Sequence, residues 1–110
     1  MTAQEIALKS YELFKNGDMA GIKALCHDDY TMTLNGMHVL SGTYHGAESF
    51  IQDMLANIPA ALPNFSLEVI DSFGSEDGSK AFTILDAKAD GLKAVFGHYM
   101  RCEDGKLIEF

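Results

Sequence analysis

Residues 41–50, SGTYHGAESF, place a glycine-bounded turn directly before the most regular apolar pattern in the chain. The apolar side chains in and after this segment are Ala47, Phe50, Ile51, Met54, Leu55 and Ile58. Their spacing is that of a helix with one buried face. Helical patterns end with this segment, and only strand-like patterns follow it. This order predicts an α+β domain in which helices pack on one face of a curved sheet, an architecture that can enclose a cavity.

Two shorter helices are predicted before this segment. Thr2 and Glu5 have the spacing of a capping box, which marks the start of the first helix. The dipeptide Asn16-Gly17 ends it, because glycine readily takes the left-handed conformation found after a helix. Asp18 is a favourable N-cap for the second helix.

The strand-like patterns predict six strands. They cover Tyr30 to Leu34, Met37 to Leu40, Phe65 to Phe73, Lys80 to Lys88, Leu92 to Cys102 and Lys106 to Phe110. Asn35-Gly36 is a strong hairpin signal, so the second strand is expected to turn back beside the first.

Length and charge exclude several classes of protein. With 110 residues, the chain is expected to form a single domain over residues 1–110. Its net charge of −8 argues against nucleic acid or an anionic membrane as a partner, since both attract basic surfaces. The first ten residues lack the apolar core of a secretion signal. We therefore expect a cytoplasmic protein in which Cys26 and Cys102 are reduced, buried thiols.

Four segments in this order resemble the nuclear transport factor 2-like superfamily, and within it the SnoaL-like and ketosteroid isomerase-like proteins. They are YELFKNGDMAGIKALCHDDYTM, SGTYHGAESF, KAFTILDAKADG and HYMRCEDGKLIEF, which between them span nearly the whole chain. The resemblance implies a cone-shaped, cystatin-like α+β barrel with N-terminal helices packed on a strongly curved antiparallel sheet and a pocket between the two layers. It also implies a homodimer formed through the outer face of the sheet.

The resemblance does not extend to the catalytic groups of the ketosteroid isomerases. Counted from Asp28-Asp29, the position of their general-base aspartate is Leu34. Their oxyanion-hole aspartate, a neutral acid that donates a hydrogen bond, falls near Met100. Their oxyanion-hole tyrosine lies one helix position earlier than Tyr11. The implied features are therefore the fold and its pocket, without the steroid isomerase apparatus.

The hairpin around Asp90 decides which side chains face this pocket, because side chains alternate between the two faces of a sheet. A three-residue turn, Ala89-Asp90-Gly91, pairs Lys88 with Leu92. A two-residue turn, Asp90-Gly91, shifts the pairing by one residue. We favour the three-residue turn, because it groups aromatic side chains with the apolar faces of the helices. In that register Leu85, Val95 and Tyr99 lie on the outer face, which is the predicted dimer surface.

The favoured register places two titratable side chains, Asp86 and His98, on a mainly apolar wall, and these are the predicted catalytic residues. They are roughly 13 Å apart at ~3.3 Å per residue, so they cannot form a direct dyad and each would need its own partner. Burial would raise the pKa of the aspartate and lower that of the histidine, which suits acid–base chemistry near neutrality. The alternatives are a rim carboxylate balanced by Lys88 and a core histidine satisfied by a carbonyl or a tyrosine. The predicted pocket lining is Tyr11, Phe14, Tyr30, Met32, Leu34, Met54, Phe82, Ile84, Phe96 and Met100.

Three functions are consistent with these predictions. The first is a cofactor-free isomerase, cyclase or hydrolase acting on a small hydrophobic molecule. The second is a non-catalytic domain that binds such a molecule, and the third is a dimerisation module with a filled pocket. The chain has neither a phosphate-binding glycine-rich loop nor the histidine spacing of a metal site, so no cofactor and no metal are expected. His27, His38 and His45 are expected to have structural or surface roles.

Overall fold

Two capped helices begin the chain, as the computed structural model shows; it describes all residues from Met1 to Phe110. Helix α1 covers Ala3–Lys15 and helix α2 covers Met19–Leu25. The capping box is confirmed: the Thr2 hydroxyl accepts from the Glu5 backbone N–H at 3.2 Å, and the Glu5 carboxylate accepts from the Thr2 N–H at 2.9 Å. The Asp18 carboxylate caps α2 by accepting from the backbone N–H of Gly21 at 2.8 Å.

The third helical segment, α3, covers residues 47–61 and changes its pitch along its length. It starts as an α-helix at Ala47–Ser49, widens into a π-helical turn at Phe50–Met54, tightens at Leu55–Asn57 and ends at Ile58–Ala61. Pro59 stands near the start of the last turn, where its missing N–H does little harm. The predicted apolar face is confirmed, since Phe50, Met54 and Ile58 are its buried residues.

Six strands form one mixed sheet. They are β1 Cys26–Leu34, β2 Gly42–His45, β3 Ser66–Gly74, β4 Lys80–Ala89, β5 Leu92–Glu103 and β6 Lys106–Glu109. The spatial order is β2-β1-β6-β5-β4-β3, so the sheet is open, with β2 and β3 at its edges. All neighbouring strands are antiparallel except β1 and β6, which are parallel. The predicted α+β class is confirmed, and the parallel pair is an addition to the predicted antiparallel sheet.

The strand predicted at Met37–Leu40 is wrong. Residues 35–41 form a loop, and β2 begins only at Gly42, which pairs with Leu34. This loop, which we call the 35–41 loop, is closed by local hydrogen bonds, including one from the backbone N–H of His38 to the Ser41 hydroxyl at 3.0 Å. Side chains that bond to nearby backbone compete with strand pairing, which explains why Asn35-Gly36 does not act as a two-residue hairpin here.

The core lies between the helices and the inner face of the sheet. Ala3 and Ala7 of α1 are fully buried, and the small side chain of Ala81 on β4 lies in the same cluster. Such small residues allow a helix to approach a sheet closely. Leu85 and Met100 are also fully buried on the inner face. No helix is both long enough and apolar enough to cross a membrane.

The hairpin between β4 and β5 has a two-residue turn, so the favoured three-residue register is wrong. Ala89 pairs with Leu92, and Asp90 and Gly91 form the turn. Gly91 has a φ of +76°, and the backbone N–H of Asp90 donates to the Pro63 carbonyl oxygen at 2.8 Å. This contact comes from the linker between α3 and β3, and it stabilises the tip of the hairpin.

The corrected register reverses the faces of β4 while leaving those of β5 as predicted. Leu85 points inward and is fully buried, so it does not belong to the outer surface that it was predicted to share with Val95 and Tyr99. Phe82 points outward, and its ring lies over Gly97, where a Cβ would come within 2.5 Å of the ring Cζ atom. The outer face therefore has its own aromatic packing.

Candidate functional site

An apolar cavity of about 400 Å³ lies between the helices and the inner face of the sheet. Twenty-six residues line it, of which 21 are hydrophobic, and none is Asp, Glu, Lys or Arg. Of the pocket residues predicted from sequence, the structure places Tyr11, Phe14, Tyr30, Met32, Leu34, Met54 and Phe96 in its wall. The volume is within the range of small-molecule sites, about 300–1,000 Å³.

Three predicted site residues lie on the wrong side of the sheet for this cavity. Phe82, Ile84 and Asp86 alternate with the buried residues of β4 and face outward, because the turn is one residue shorter than expected. The Asp86 carboxylate lies 3.8 Å from the Lys88 ammonium, which is the alternative that the sequence left open. Met100 faces inward and is fully buried in the core, but it does not line the cavity.

Of the two predicted catalytic residues, His98 is the one that the structure brings into the cavity. Its Nδ1 atom lies 2.8 Å from the hydroxyl oxygen of Tyr11 on α1. Burial lowers the pKa of His98 to about 4, so its imidazole is neutral at pH 7. Burial raises the pKa of Tyr11, against a smaller opposing effect of the Thr83 hydroxyl, so Tyr11 keeps its proton. When Tyr11 donates to Nδ1, the imidazole proton lies on Nε2, which is then a hydrogen-bond donor.

Aromatic rings surround His98. Phe110 is the nearest, with ring centroids 4.8 Å apart, and Phe96 stacks at 6.4 Å with an interplanar angle of 12°. Phe110 in turn packs on Phe50 at 6.0 Å, and Phe50 packs on Tyr30 at 5.6 Å. These rings form a continuous aromatic surface along one wall of the cavity. Flat ring systems pack well on such a surface.

Sequence reasoning missed Phe50 and Phe110 as cavity residues. Phe50 could have been predicted as a cavity residue, because it lies on the predicted inner face of α3. Phe110 follows β6, and its backbone N–H donates to the Thr31 carbonyl oxygen at 3.0 Å. That bond belongs to the parallel pairing with β1, for which no local pattern exists.

Tyr30 carries a polar group without a partner. Its side chain is 1% exposed, and its hydroxyl makes no hydrogen bond. Burial raises the pKa of this hydroxyl, so it stays protonated and can donate. A buried hydroxyl without a partner is uncommon in a folded protein, and leaving it so costs about 1–3 kcal/mol.

The remaining histidines and the cysteines contribute little to the site. His38 is exposed, and it lies in the part of the 35–41 loop that borders the cavity. His27 lies 3.7 Å from the Asp104 carboxylate, away from the cavity, and His45 is exposed on β2. The cysteines form no disulfide, and Cys26 is a buried wall residue whose pKa is raised by burial to about 11.

Comparison with known proteins agrees with this architecture. The model of the SnoaL-like domain family matches residues 7–110. A solved NTF2-like protein of unknown function from Burkholderia pseudomallei is 24% identical with a TM-score of 0.82, covering 99% of this chain and 88% of that chain. TerC, co-crystallised with polyporic acid, is 26% identical with a TM-score of 0.79, covering 96% and 85%. A candidate polyketide cyclase from Sinorhizobium meliloti is 14% identical with a TM-score of 0.79, covering 96% and 90%. No curated protein matches the sequence significantly.

Proposed function

The chain belongs to the SnoaL-like domain family, and we propose that it binds one small, mainly apolar, ring-containing molecule in its cavity. The observation that carries this proposal is a cavity of about 400 Å³ without a single Asp, Glu, Lys or Arg in its wall. Burial of apolar surface, at about 25 cal/mol per Å², is the main source of affinity in such a site. The likeness to TerC, which was co-crystallised with polyporic acid, supports a small organic ligand.

His98 supplies the polar contact in this proposal. With Nδ1 engaged by Tyr11, the Nε2 atom can donate a hydrogen bond to an oxygen of the bound molecule. Since the imidazole is neutral at pH 7, the contact favours a neutral acceptor such as a carbonyl oxygen. The Tyr11 hydroxyl orients the ring, and when it donates to Nδ1 the proton lies on Nε2.

Acid–base catalysis on the same molecule, as in a cofactor-free isomerase or cyclase, is the second candidate. The Tyr11–His98 hydrogen bond favours it, because an oriented neutral imidazole can polarise a carbonyl group. A histidine whose pKa is lowered to about 4 is, however, a weak general base at pH 7. No carboxylate side chain lines the cavity to take its place. Binding is therefore the better supported function.

Filling the cavity should weaken ligand binding. We expect 2-acetylnaphthalene, a neutral aromatic ketone, to bind the wild-type protein. Leu34→Trp should weaken this binding about tenfold or more, because the indole takes up cavity space. The measurement is isothermal titration calorimetry at pH 7. The matched control is Leu8→Trp, the same change at a position that is 40% exposed on α1. Equal affinities for wild type and Leu34→Trp would contradict a ligand site in this cavity.

We also propose a homodimer through the outer face of the sheet. Phe73, Phe82, Val95 and Tyr99 lie on this face and are 53%, 43%, 64% and 42% exposed. An apolar face of this kind on three adjacent strands is typical of a protein interface. The partner that the family resemblance implies is a second copy of the chain.

A single charge should separate the subunits of this dimer. We expect a dimer at micromolar concentration, and a monomer for Val95→Lys, because burying its ammonium in an apolar interface costs desolvation even opposite Asp86, its cross-strand neighbour. Val39→Lys is the control, since Val39 is 79% exposed and lies in the 35–41 loop, away from the sheet face. Sedimentation velocity measures all three proteins, and a monomeric wild type would contradict the proposed interface.

A further inference from the structure

We propose that the hydroxyl of Tyr30 donates a hydrogen bond to the molecule in the cavity. The bound molecule then carries two oxygen acceptors on an apolar ring body, one for Tyr30 and one for His98. This inference rests on the proposed binding function and names the chemistry of the ligand.

The hydroxyl of Tyr30 has an unused capacity for a hydrogen bond. The side chain is buried to 99% and belongs to the cavity wall, yet its hydroxyl has no partner in the protein. Buried polar groups in native proteins are nearly always paired, because an unpaired one loses its hydration without compensation. A ligand oxygen supplies the missing acceptor.

The Tyr30 side chain is enclosed by the core, since the residue is only 1% exposed. The ring packs against Phe50, and the backbone carbonyl oxygen of Tyr30 accepts from the Gly46 N–H at 2.6 Å. The hydroxyl itself is covered, so an occupant reaches it by displacing a neighbouring side chain. Met32 and Met54 lie in the same wall, and unbranched methionine side chains move aside readily.

A row of ring contacts connects Tyr30 with His98. Tyr30 packs on Phe50, Phe50 packs on Phe110, and Phe110 packs on His98, with ring centroids 5.6, 6.0 and 4.8 Å apart. An occupant lying on the rings of Phe50 and Phe110 therefore presents an apolar body to them. Tyr30 and the Nε2 atom of His98 can both donate, so a carbonyl oxygen of the ligand satisfies each of them. Beside His98, an ammonium group or any other group that can only donate is excluded.

The test compares the affinities of ketones that carry one or two carbonyl groups on the same ring system. The two pairs of probes are 2-acetylnaphthalene with 2,6-diacetylnaphthalene, and acetophenone with 1,4-diacetylbenzene, which present the oxygens at two different spacings. We expect at least one diketone to bind the wild type about tenfold more tightly than its monoketone, the size of one net hydrogen bond. Tyr30→Phe should abolish this advantage. Tyr99→Phe, the same change on the outer face, should keep it.

The outcomes separate this inference from the proposed function. Monoketone binding without a diketone advantage in either pair would overturn the role of Tyr30 and leave the cavity as a binding site. A diketone advantage that survives Tyr30→Phe would also overturn it. If no ketone binds the wild type, both proposals fail. The free Tyr30→Phe protein should be as stable as wild type or more stable, because no protein partner is lost; a marked loss of stability would contradict the unpaired hydroxyl.

Discussion

Replacement of Leu85 by aspartate is expected to unfold the domain, while the same replacement of Ile84, the preceding residue on β4, is tolerated. Leu85 is fully buried on the inner face of the sheet, so a carboxylate there has neither water nor a partner. We expect Leu85→Asp to cost about 4 kcal/mol or more, close to the whole stability of a small domain. Ile84 is half-buried on the outer face, where Asp86 already stands, and Ile84→Asp should cost about 1–2 kcal/mol.

Urea unfolding followed by circular dichroism measures both variants, at a protein concentration low enough to keep the subunits apart. The comparison tests the register of the β4–β5 hairpin, on which the composition of the cavity wall depends. A three-residue turn would place Ile84 inside and Leu85 outside. If Ile84→Asp were the more damaging change, the two-residue turn and the exclusion of Asp86 from the site would both be wrong.

Lowering the pH from 7 to 4 is expected to remove about 3 kcal/mol of unfolding free energy through His98 alone. Burial lowers the pKa of His98 to about 4 from an ordinary 6.5. Above pH 6.5 the imidazole is neutral in both the folded and the unfolded chain, so it adds no pH dependence. Between pH 6.5 and 4 only the unfolded chain takes up the proton, so stability falls as the pH falls. Below pH 4 both states are protonated and the loss levels off.

His98→Asn is the control for this pH dependence. Its amide oxygen can replace Nδ1 as the acceptor for the Tyr11 hydroxyl, and it does not titrate. Carboxylates also titrate in this range, but they do so in both proteins, and subtracting the two stability curves isolates His98. We expect the wild type to lose more stability than His98→Asn between pH 6.5 and 4. Parallel curves would show that His98 is solvated and not a cavity residue.

The helices were predictable because their signals are local. The capping box of Thr2 and Glu5 and the periodic apolar face of α3 are both complete within a few turns of chain. The hairpin turn at Asp90 was not predictable in the same way. Its two-residue form is supported by Pro63 and Asn64, which contact Asp90 from 26 or more residues away. One additional residue in a turn exchanges the two faces of a whole strand. The error therefore placed Phe82, Ile84 and Asp86 together on the wrong face.

Residues of the candidate site were predictable only where the periodicity of their own helix or strand determines which way the side chain points. Tyr11 and Phe14 follow from the face of α1, and Met32 and Leu34 alternate along β1 with the spacing expected of a strand. Phe110 is held beside β1 by its backbone bond to Thr31, which joins segments far apart in the sequence, and its ring packs on His98. The hydrogen bond between Tyr11 and His98 likewise joins residues 87 positions apart. The spacing of residue types in a single sequence does not reveal contacts between residues so far apart.

The position of β6 has a consequence for how the protein folds during its synthesis. Strands β1 and β2 form one antiparallel pair, and β3, β4 and β5 form a separate meander, while β6 alone is hydrogen-bonded to both groups. A nascent chain can form each group early from near-neighbour contacts, but it cannot join them until residues 106–109 have left the ribosome. Until then the inner edges of β1 and β5 are open to pairing with other chains, which makes this interval the one most exposed to aggregation.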